Sequence, residues 1–272
     1  MPCGWSWGDG MKLEAYRYTN PGGCSENQDS SDFRMEADRG LFLLADGLGG
    51  HRDGARASAL VVQALLTAWE EDWSGDSGPE GPLAALLLER TLEANDLLLE
   101  ARERGSSGRS TALALAVAGN RAAWVHVGDS RLYRISQGQI CHATRDHSVT
   151  YKKYLAGEIG RNELNVDEDR SSLLRVVGDK TRCIPQTGGG EVRPGDAFLL
   201  CSDGLWSVLY DEEILIDCLK ADSPRAWAEL LLLRALPRLG ADADNLTLLT
   251  VFLTETGHKE GPLWPYCGAP SA

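Results

Sequence analysis

Short apolar runs alternate with glycine-rich and polar breaks along this chain, and their spacing predicts its elements. Residues 13–18 alternate as a strand does, and Pro21-Gly22-Gly23 turns the chain just after them. Phe33 to Ala37 and Leu41 to Ala45 read as a strand pair broken at Asp38-Arg39-Gly40. From about Ala55 to Trp69 the apolar and alanine positions recur at helical spacing. Ser74 to Pro82, rich in Gly, Pro, Ser and acidic residues, reads as a surface loop. Pro82 suits the first turn of a second helix, which carries Leu83, Leu87, Ala94 and Leu98 on one face and stops at Arg104-Gly105. The leucines at 86, 88, 92, 97 and 99 widen that face, so packing on both sides is expected.

The pattern then changes. Thr111 to Ala118, Ala122 to Val127, Arg131 to Ser136 and Gln139 to His142 predict successive strands, with hairpin turns at Gly119-Asn120 and Gln137-Gly138-Gln139. Residues 144–172 are polar and irregular, with short helices expected near His147 to Leu155, and long stretches of this kind often serve as functional flaps. Glu191 to Asp196 is a turn feeding a strand at Ala197 to Cys201. Helices near Asp211 to Lys220 and Ser223 to Leu239 follow, then a last strand from Leu246 to Leu253. There is no internal repeat and no linker. One domain is expected over residues 13–255, with an arm at 1–12, a flap at 144–172 and a tail at 256–272.

Composition narrows the function classes. Over 272 residues the hydrophobic share is 43% and the charged share 25%, which are the values of an ordinary globular protein. A net charge of -13 argues against a nucleic-acid partner, which calls for a basic patch. The seven cysteines are scattered and never spaced as Cys-x-x-Cys, so neither a disulfide framework nor a zinc site is expected. That usage, with no signal-peptide pattern and no long apolar span, points to a soluble chain in a reducing cytoplasm.

The chemistry gathers around Leu43-Leu44-Ala45-Asp46-Gly47-Leu48-Gly49-Gly50-His51. An apolar strand runs into a carboxylate and then a glycine-rich turn, which fixes Asp46 on a rigid mount. A carboxylate beside an exposed glycine carbonyl offers a hard divalent cation two oxygens within one turn. Asp129 and Asp203 each follow an apolar run, Asp244 immediately precedes one, and Asp29 sits in a turn-rich stretch after the first strand. Carboxylates at strand ends can converge on one rim of a sheet sandwich, and such a cluster stays charged only with cations.

Taken in order, Asn27-x-Asp29, Asp46-Gly47-x-Gly49-Gly50-His51, Gly108-Arg109-Ser110-Thr111, Gly128-Asp129-Ser130-Arg131, Ser202-Asp203-Gly204 and Asp244-Asn245 resemble the PP2C (PPM) family of metal-dependent serine/threonine phosphatases. The turn with Leu48 is most similar to bacterial members. The resemblance covers roughly residues 13–253 and implies an α/β sandwich, with two antiparallel sheets packed face to face and helices on both outer sides. It implies two Mn²⁺ or Mg²⁺ ions, with a third in bacterial relatives, and an attack on the phosphate ester by metal-activated water without a phosphoenzyme. It also implies roles for single residues. Asp46 bridges the two metals, Gly47 gives a carbonyl oxygen, Asp203 and Asp244 hold the other ion, and Asp29 acts through water. Asp129 joins Asp203 at the third metal. Asp46, Asp203 and Asp244 would thus carry catalysis. Phosphoproteins made by a serine/threonine kinase would be the partners of a cytoplasmic monomer that needs neither nucleic acid nor membrane.

Three departures stand out. Cys24 occupies a position where the family often has an arginine on the substrate phosphate, and a thiol supplies no bidentate fork. Arg17, Arg34, Arg52 and Arg109 are the candidates to replace it. Gln28 stands where many relatives carry Glu, and Leu48 where animal members have a histidine acting as general acid. His51 could assist the leaving group or simply bond the backbone. His126 reads as a packed strand histidine, and Asp146-His147-Ser148 as structural or substrate-contacting residues that open the flap. Ser110-Thr111 reads as a strand start whose hydroxyls cap local backbone, and Trp124 and Trp206 as core. The missing arginine leaves a second function open, a PP2C-fold regulator that binds phosphoproteins without turnover. A hydrolase of small phosphoesters ranks third, since no basic, glycine-rich nucleotide cradle is present.

Overall fold

Strand β3 (Arg39–Leu48) decides the layering, because Leu41, Leu43 and Ala45 occupy one face, Phe42 and Leu44 the other, and all five are fully buried. A strand buried on both faces needs a layer on each side. The computed structural model, which describes residues 10–36, 38–49, 51–71, 73, 81–164, 167–169, 172–257 and 263, supplies both. On one side of β3 lies a second sheet, and on the other a pair of helices.

The sheet containing β3 runs β2 (Asp29–Glu36), β3, β5 (Ala112–Ala118), β6 (Arg121–Val127), β9 (Gln186–Glu191), with the short β4 (Arg109–Ser110) paired to the end of β3. The other sheet runs β1 (Met11–Asn20), β11 (Leu246–Glu255), β10 (Ala197–Cys201), β7 (Arg131–Ser136), β8 (Gln139–Ala143). All the pairings are antiparallel. Phe42, Leu44, Leu113, Leu115, Phe198 and Val251 fill the space between the sheets. Helices α1 (His51–Leu66) and α2 (Pro82–Glu103) cover the first sheet through Val61, Leu65, Leu87 and Leu98. Helices α5 (Asp211–Lys220) and α6 (Pro224–Ala235) cover the second through Ile214, Trp227 and Leu231. The expected α/β sandwich, with two antiparallel sheets between helices, is the observed fold. Among the described residues no helix is long and apolar enough to cross a membrane.

Three expectations change in detail. Strand β9 was not expected, because its Gln-Thr-Gly-Gly-Gly-Glu lacks any apolar alternation. Glycine is needed there for packing, since a Cβ on Gly188 would lie 2.5 Å from the Trp124 ring. Helix α2 buries one face only, and Leu92 and Leu97 are exposed, so the widened leucine face is not packed on both sides. In the flap, helix α3 (Val149–Leu155) starts after Ser148, whose hydroxyl caps it by accepting from Tyr151 N, so His147 lies outside the helix. The expected arm and tail fall mostly outside the described residues.

Candidate metal centre

Strand direction brings the aspartates to one rim. Asp29 opens β2 and faces Asp46, near the end of β3, in the ladder. Asp129 follows β6, Asp203 follows β10 as the first residue of the short helix α4 (Asp203–Trp206), and Asp244 precedes β11. Asp46 has the parity of Phe42 and Leu44, the residues that face the other sheet. Asp46, Gly47, Asp129, Asp203 and Asp244 line a cavity of about 230 Å³, bordered by Cys24, Gln28, Leu48 and Asn245. Asp29 lies buried behind it.

The backbone around these groups is held by hydrogen bonds from separate parts of the chain. Thr111 accepts from Asp46 N at 2.8 Å through its hydroxyl, and Ser110 Oγ donates to Asp46 O at 2.9 Å. Those hydroxyls do cap backbone, as expected, and the backbone they cap belongs to the acidic strand. Ser202 Oγ donates to Asp29 Oδ2 at 2.8 Å. Asn245 accepts from Gln28 N at 2.7 Å and donates to Pro21 O at 2.9 Å, which ties the loop before β2 to the start of β11. A Cβ on Gly47 would come within 2.2 Å of Gly54 O, so only glycine lets the end of β3 approach α1.

The Asp129 corner is the most heavily braced. Gly128, at φ 108°, donates to His147 Nδ1 at 3.1 Å and accepts from His147 N at 2.8 Å. Asp146 receives Arg131 Nε and Nη2 at 2.8 and 2.7 Å, and the Arg131 guanidinium lies 3.5 Å from the centre of the Trp206 ring. Trp206 Nε1 in turn donates to Asp129 O at 2.9 Å. Trp206 is therefore core, as expected, and also a clamp on the rim. Asp146, His147 and Ser148 are all buried and have structural partners here. His126 is a packed strand histidine that stacks on His147 with ring centroids 4.4 Å apart.

Among the described residues no cationic side chain lines this cavity. Burial, followed by repulsion from Asp29, Asp203, Asp129 and Asp244, holds Asp46 well above the usual carboxylate range. Burial and then Asp129, Asp244 and Asp29 do the same to Asp203. Burial raises Asp129 to about 7, with Asp146 adding to the effect. Asp29 rises to about 6 through burial, against the hydrogen bonds of Thr247 and Ser202. Asp29 Oδ1 and Asp203 Oδ1 are buried without a hydrogen-bond partner. Orphaned oxygens in a repelling cluster fit a hard cation, which prefers oxygen ligands. Among the described residues no three His, Cys, Asp or Glu side chains close into a ready cage. An open, oxygen-lined space suits ions that keep part of their hydration shell.

The arginine candidates separate. Arg17 and Arg34 lie on β1 and β2 and both pair with Asp32, at 3.6 and 3.1 Å, away from the cavity lining. Arg52 is exposed on α1, and Gly50 and the His51 side chain lie outside the described residues. Arg109 lines a neighbouring cavity together with Arg182, which the sequence reading did not single out. Ser202 was also missed as a support, because its partner Asp29 is 173 residues away.

A family model described as Protein phosphatase 2C matches residues 24–231. The chain belongs to the protein phosphatase 2C family. It is 30% identical over 233 residues to the protein phosphatase PhpP of Streptococcus pneumoniae, covering 85% of this chain and 93% of that one. It is 34% identical over 230 residues to the serine/threonine protein phosphatase PstP of Mycobacterium tuberculosis, covering 83% of this chain and 42% of PstP. The crystal structure of the PstP catalytic domain in complex with two manganese ions superposes with a TM-score of 0.77 at 29% identity, over 90% of this chain and 99% of that one. The enzyme class expected from the sequence, a serine/threonine protein phosphatase, is the class that PstP's name gives, and the PstP catalytic domain is the one with manganese bound.

Proposed function

We propose that this phosphatase removes phosphate from phosphoserine and phosphothreonine in proteins with two divalent cations, Mn²⁺ or Mg²⁺, in the acidic cavity. The convergence of Asp46, Asp129, Asp203 and Asp244 on one cavity, with no cationic side chain in its lining among the described residues, carries this reading. Asp46, the Gly47 carbonyl, Asp203 and Asp244 would hold the two ions, with Asp29 acting through water. Asp129 and Asp203 would hold a third. When bound, such ions supply Lewis-acid activation of the attacking water and charge stabilisation on the phosphoryl oxygens.

The chain's own groups orient and enclose. Thr111 and Ser110 fix the Asp46 backbone, Ser202 fixes Asp29, and Trp206 fixes Asp129. Leu48 and Leu173 give the cavity an apolar border, which weakens solvent screening near the carboxylates. Leu48, at the position next to Gly47, has no proton to give the leaving serine or threonine oxygen, so that proton would have to come from another group or from water.

Serine/threonine kinases would make the substrates, in the cytoplasm, and the enzyme would act as a monomer. Cys24 on the cavity border favours a second reading, a phosphoprotein-binding regulator, because a thiol there cannot grip phosphate as arginine does. Hydrolysis of a phosphothreonine peptide with Mn²⁺, with EDTA, and by Asp203→Asn decides between them. Turnover that requires metal and is lost in the variant supports the enzyme. A folded, metal-loaded protein without turnover supports the regulator.

A further inference from the structure

Next to the acidic cavity lies a second one of about 360 Å³, whose polar lining includes Arg109, Arg182, Ser107 and Ser172. The two cavities share Leu48, Gly49 and Leu173 as a common wall. In the β3–β4 pairing Arg109 faces Leu48 and Ser110 faces Gly47, so the basic cavity begins one ladder position from the acidic one.

Positive charge is in surplus there. Arg109 Nη2 and Arg182 Nε approach the same Asp179 Oδ2, at 3.9 and 3.1 Å. The other oxygen of Asp179 is taken up by its own turn, accepting from Thr181 N, Thr181 Oγ1 and Arg182 N. Arg109 Nε is buried without a hydrogen-bond partner. Burial, then Arg102 and Arg182, depress the Arg109 guanidinium below its ordinary value although Asp179 opposes them. The planar fork of a guanidinium donates well to two oxygens of one multivalent oxyanion, and a phosphate group presents such oxygens.

We propose that Arg109 and Arg182 form a subsite for a second phosphate group on the substrate, so that the enzyme prefers segments phosphorylated at two neighbouring residues. This rests on the reading above that the scissile phosphate enters the acidic cavity. The shared wall sets the spacing. At roughly 3.3–3.6 Å per extended residue, the second phosphate belongs about one to three residues from the first.

The test compares a peptide carrying one phosphothreonine with the same peptide carrying a phosphoserine two residues away. With Mn²⁺, kcat/KM is expected to be about tenfold higher for the doubly phosphorylated peptide, through KM. Arg109→Gln and Arg182→Gln should bring that ratio close to one, while Arg109→Lys retains part of it. Fluorescence anisotropy in EDTA gives a second readout. A labelled doubly phosphorylated peptide should bind about tenfold more weakly to Arg109→Gln than to the unaltered protein. Arg182 also braces the Asp179 turn, so circular dichroism of each variant reports its fold, and Arg109→Gln stands in if Arg182→Gln unfolds. Equal kcat/KM for the two peptides overturns the subsite and leaves hydrolysis standing. An equal loss on both peptides in the variants also overturns it, by placing the arginines on the scissile phosphate. Inorganic phosphate displacing the labelled peptide as well as the unlabelled doubly phosphorylated one would overturn it in favour of free phosphate. Arginine-dependent binding in EDTA without turnover of either peptide supports the subsite and rejects the hydrolytic reading instead.

Discussion

Asp146, Asp196 and Asp217 are as buried as Asp29 and Asp129, yet the two groups lie in opposite electrostatic settings. Each of the first three has an arginine of its own. Arg131 grips Asp146 with two bonds, Arg134 Nη2 meets Asp196 at 2.6 Å, and Arg234 Nη2 meets Asp217 at 2.8 Å. At the rim, Asp29, Asp46, Asp129 and Asp203 have one another and a few hydroxyl and backbone donors. The same side chain is thus neutralised within the fold where it serves structure. At the rim it has no arginine of its own among the described residues, which under the proposed function leaves it for a cation from outside. Breaking a buried ion pair should therefore cost stability, and removing a rim carboxylate should cost activity while relieving repulsion.

The largest effect expected is on turnover. Asp203→Asn should lower kcat on a phosphothreonine peptide by about a thousand-fold, a fraction of the several kcal/mol that a metal's Lewis acidity supplies. Retention of activity within tenfold would remove Asp203 from the essential set. Next comes Arg131→Ala, which strands Asp146 and should lower unfolding free energy by about 3–5 kcal/mol. Urea titration measures that loss, and a change below about 1 kcal/mol would make the pair ornamental.

Cation binding sharpens the contrast from the other side. With Mn²⁺ at about a hundredfold over its dissociation constant, the native state should gain about 2.7 kcal/mol, visible as a rise in Tm. Asp203→Asn should melt at or above the unaltered protein in EDTA and gain less from Mn²⁺. If it melts lower in EDTA, mutual repulsion is not what limits the rim.

The smallest effect concerns an exposed pairing. The hydrogen bonds from Arg238 hold Glu213 down at about 2, from an ordinary value of 4.5. A depressed carboxyl contributes stability at pH above its unfolded value, and that contribution is lost as pH falls from about 4.5 towards 2. Glu213→Gln should lower stability slightly at neutral pH and flatten the acid limb of a stability–pH curve in that window, so that the two proteins converge at the acid end.

Much of this contrast was legible in the sequence on one side only. Asp46 stands directly after an apolar run, Asp129 and Asp203 follow one after a single intervening residue, and Asp244 stands just before one, so their place at strand ends could be read from local pattern. The convergence itself depended on the ordered motifs, since spacing does not say which strand ends share a rim. The supports were hidden by distance along the chain, as with Ser202 under Asp29 and Asn245 across to Gln28. Strand β9 was hidden by its glycines, which are there for the Trp124 ring above them. The basic cavity draws Arg109 and Arg182 from segments with no shared motif, and only the fold brings them to one carboxylate.

In its sheet β1 has β11 as its neighbour, paired from Met11 with Glu255 to Asn20 with Leu246. A chain emerging from the ribosome therefore holds β1 without this neighbour until β11 has been made. The same late arrival brings Asp244 to the rim and Asn245 to the loop before β2. A stalled or truncated product that stops before Asp244 has no β11 to join β1 to β10, and its acidic cavity lacks Asp244. Birth order thus ties two events together, because the acidic rim of the proposed site gains Asp244 only on a polypeptide whose synthesis has reached β11.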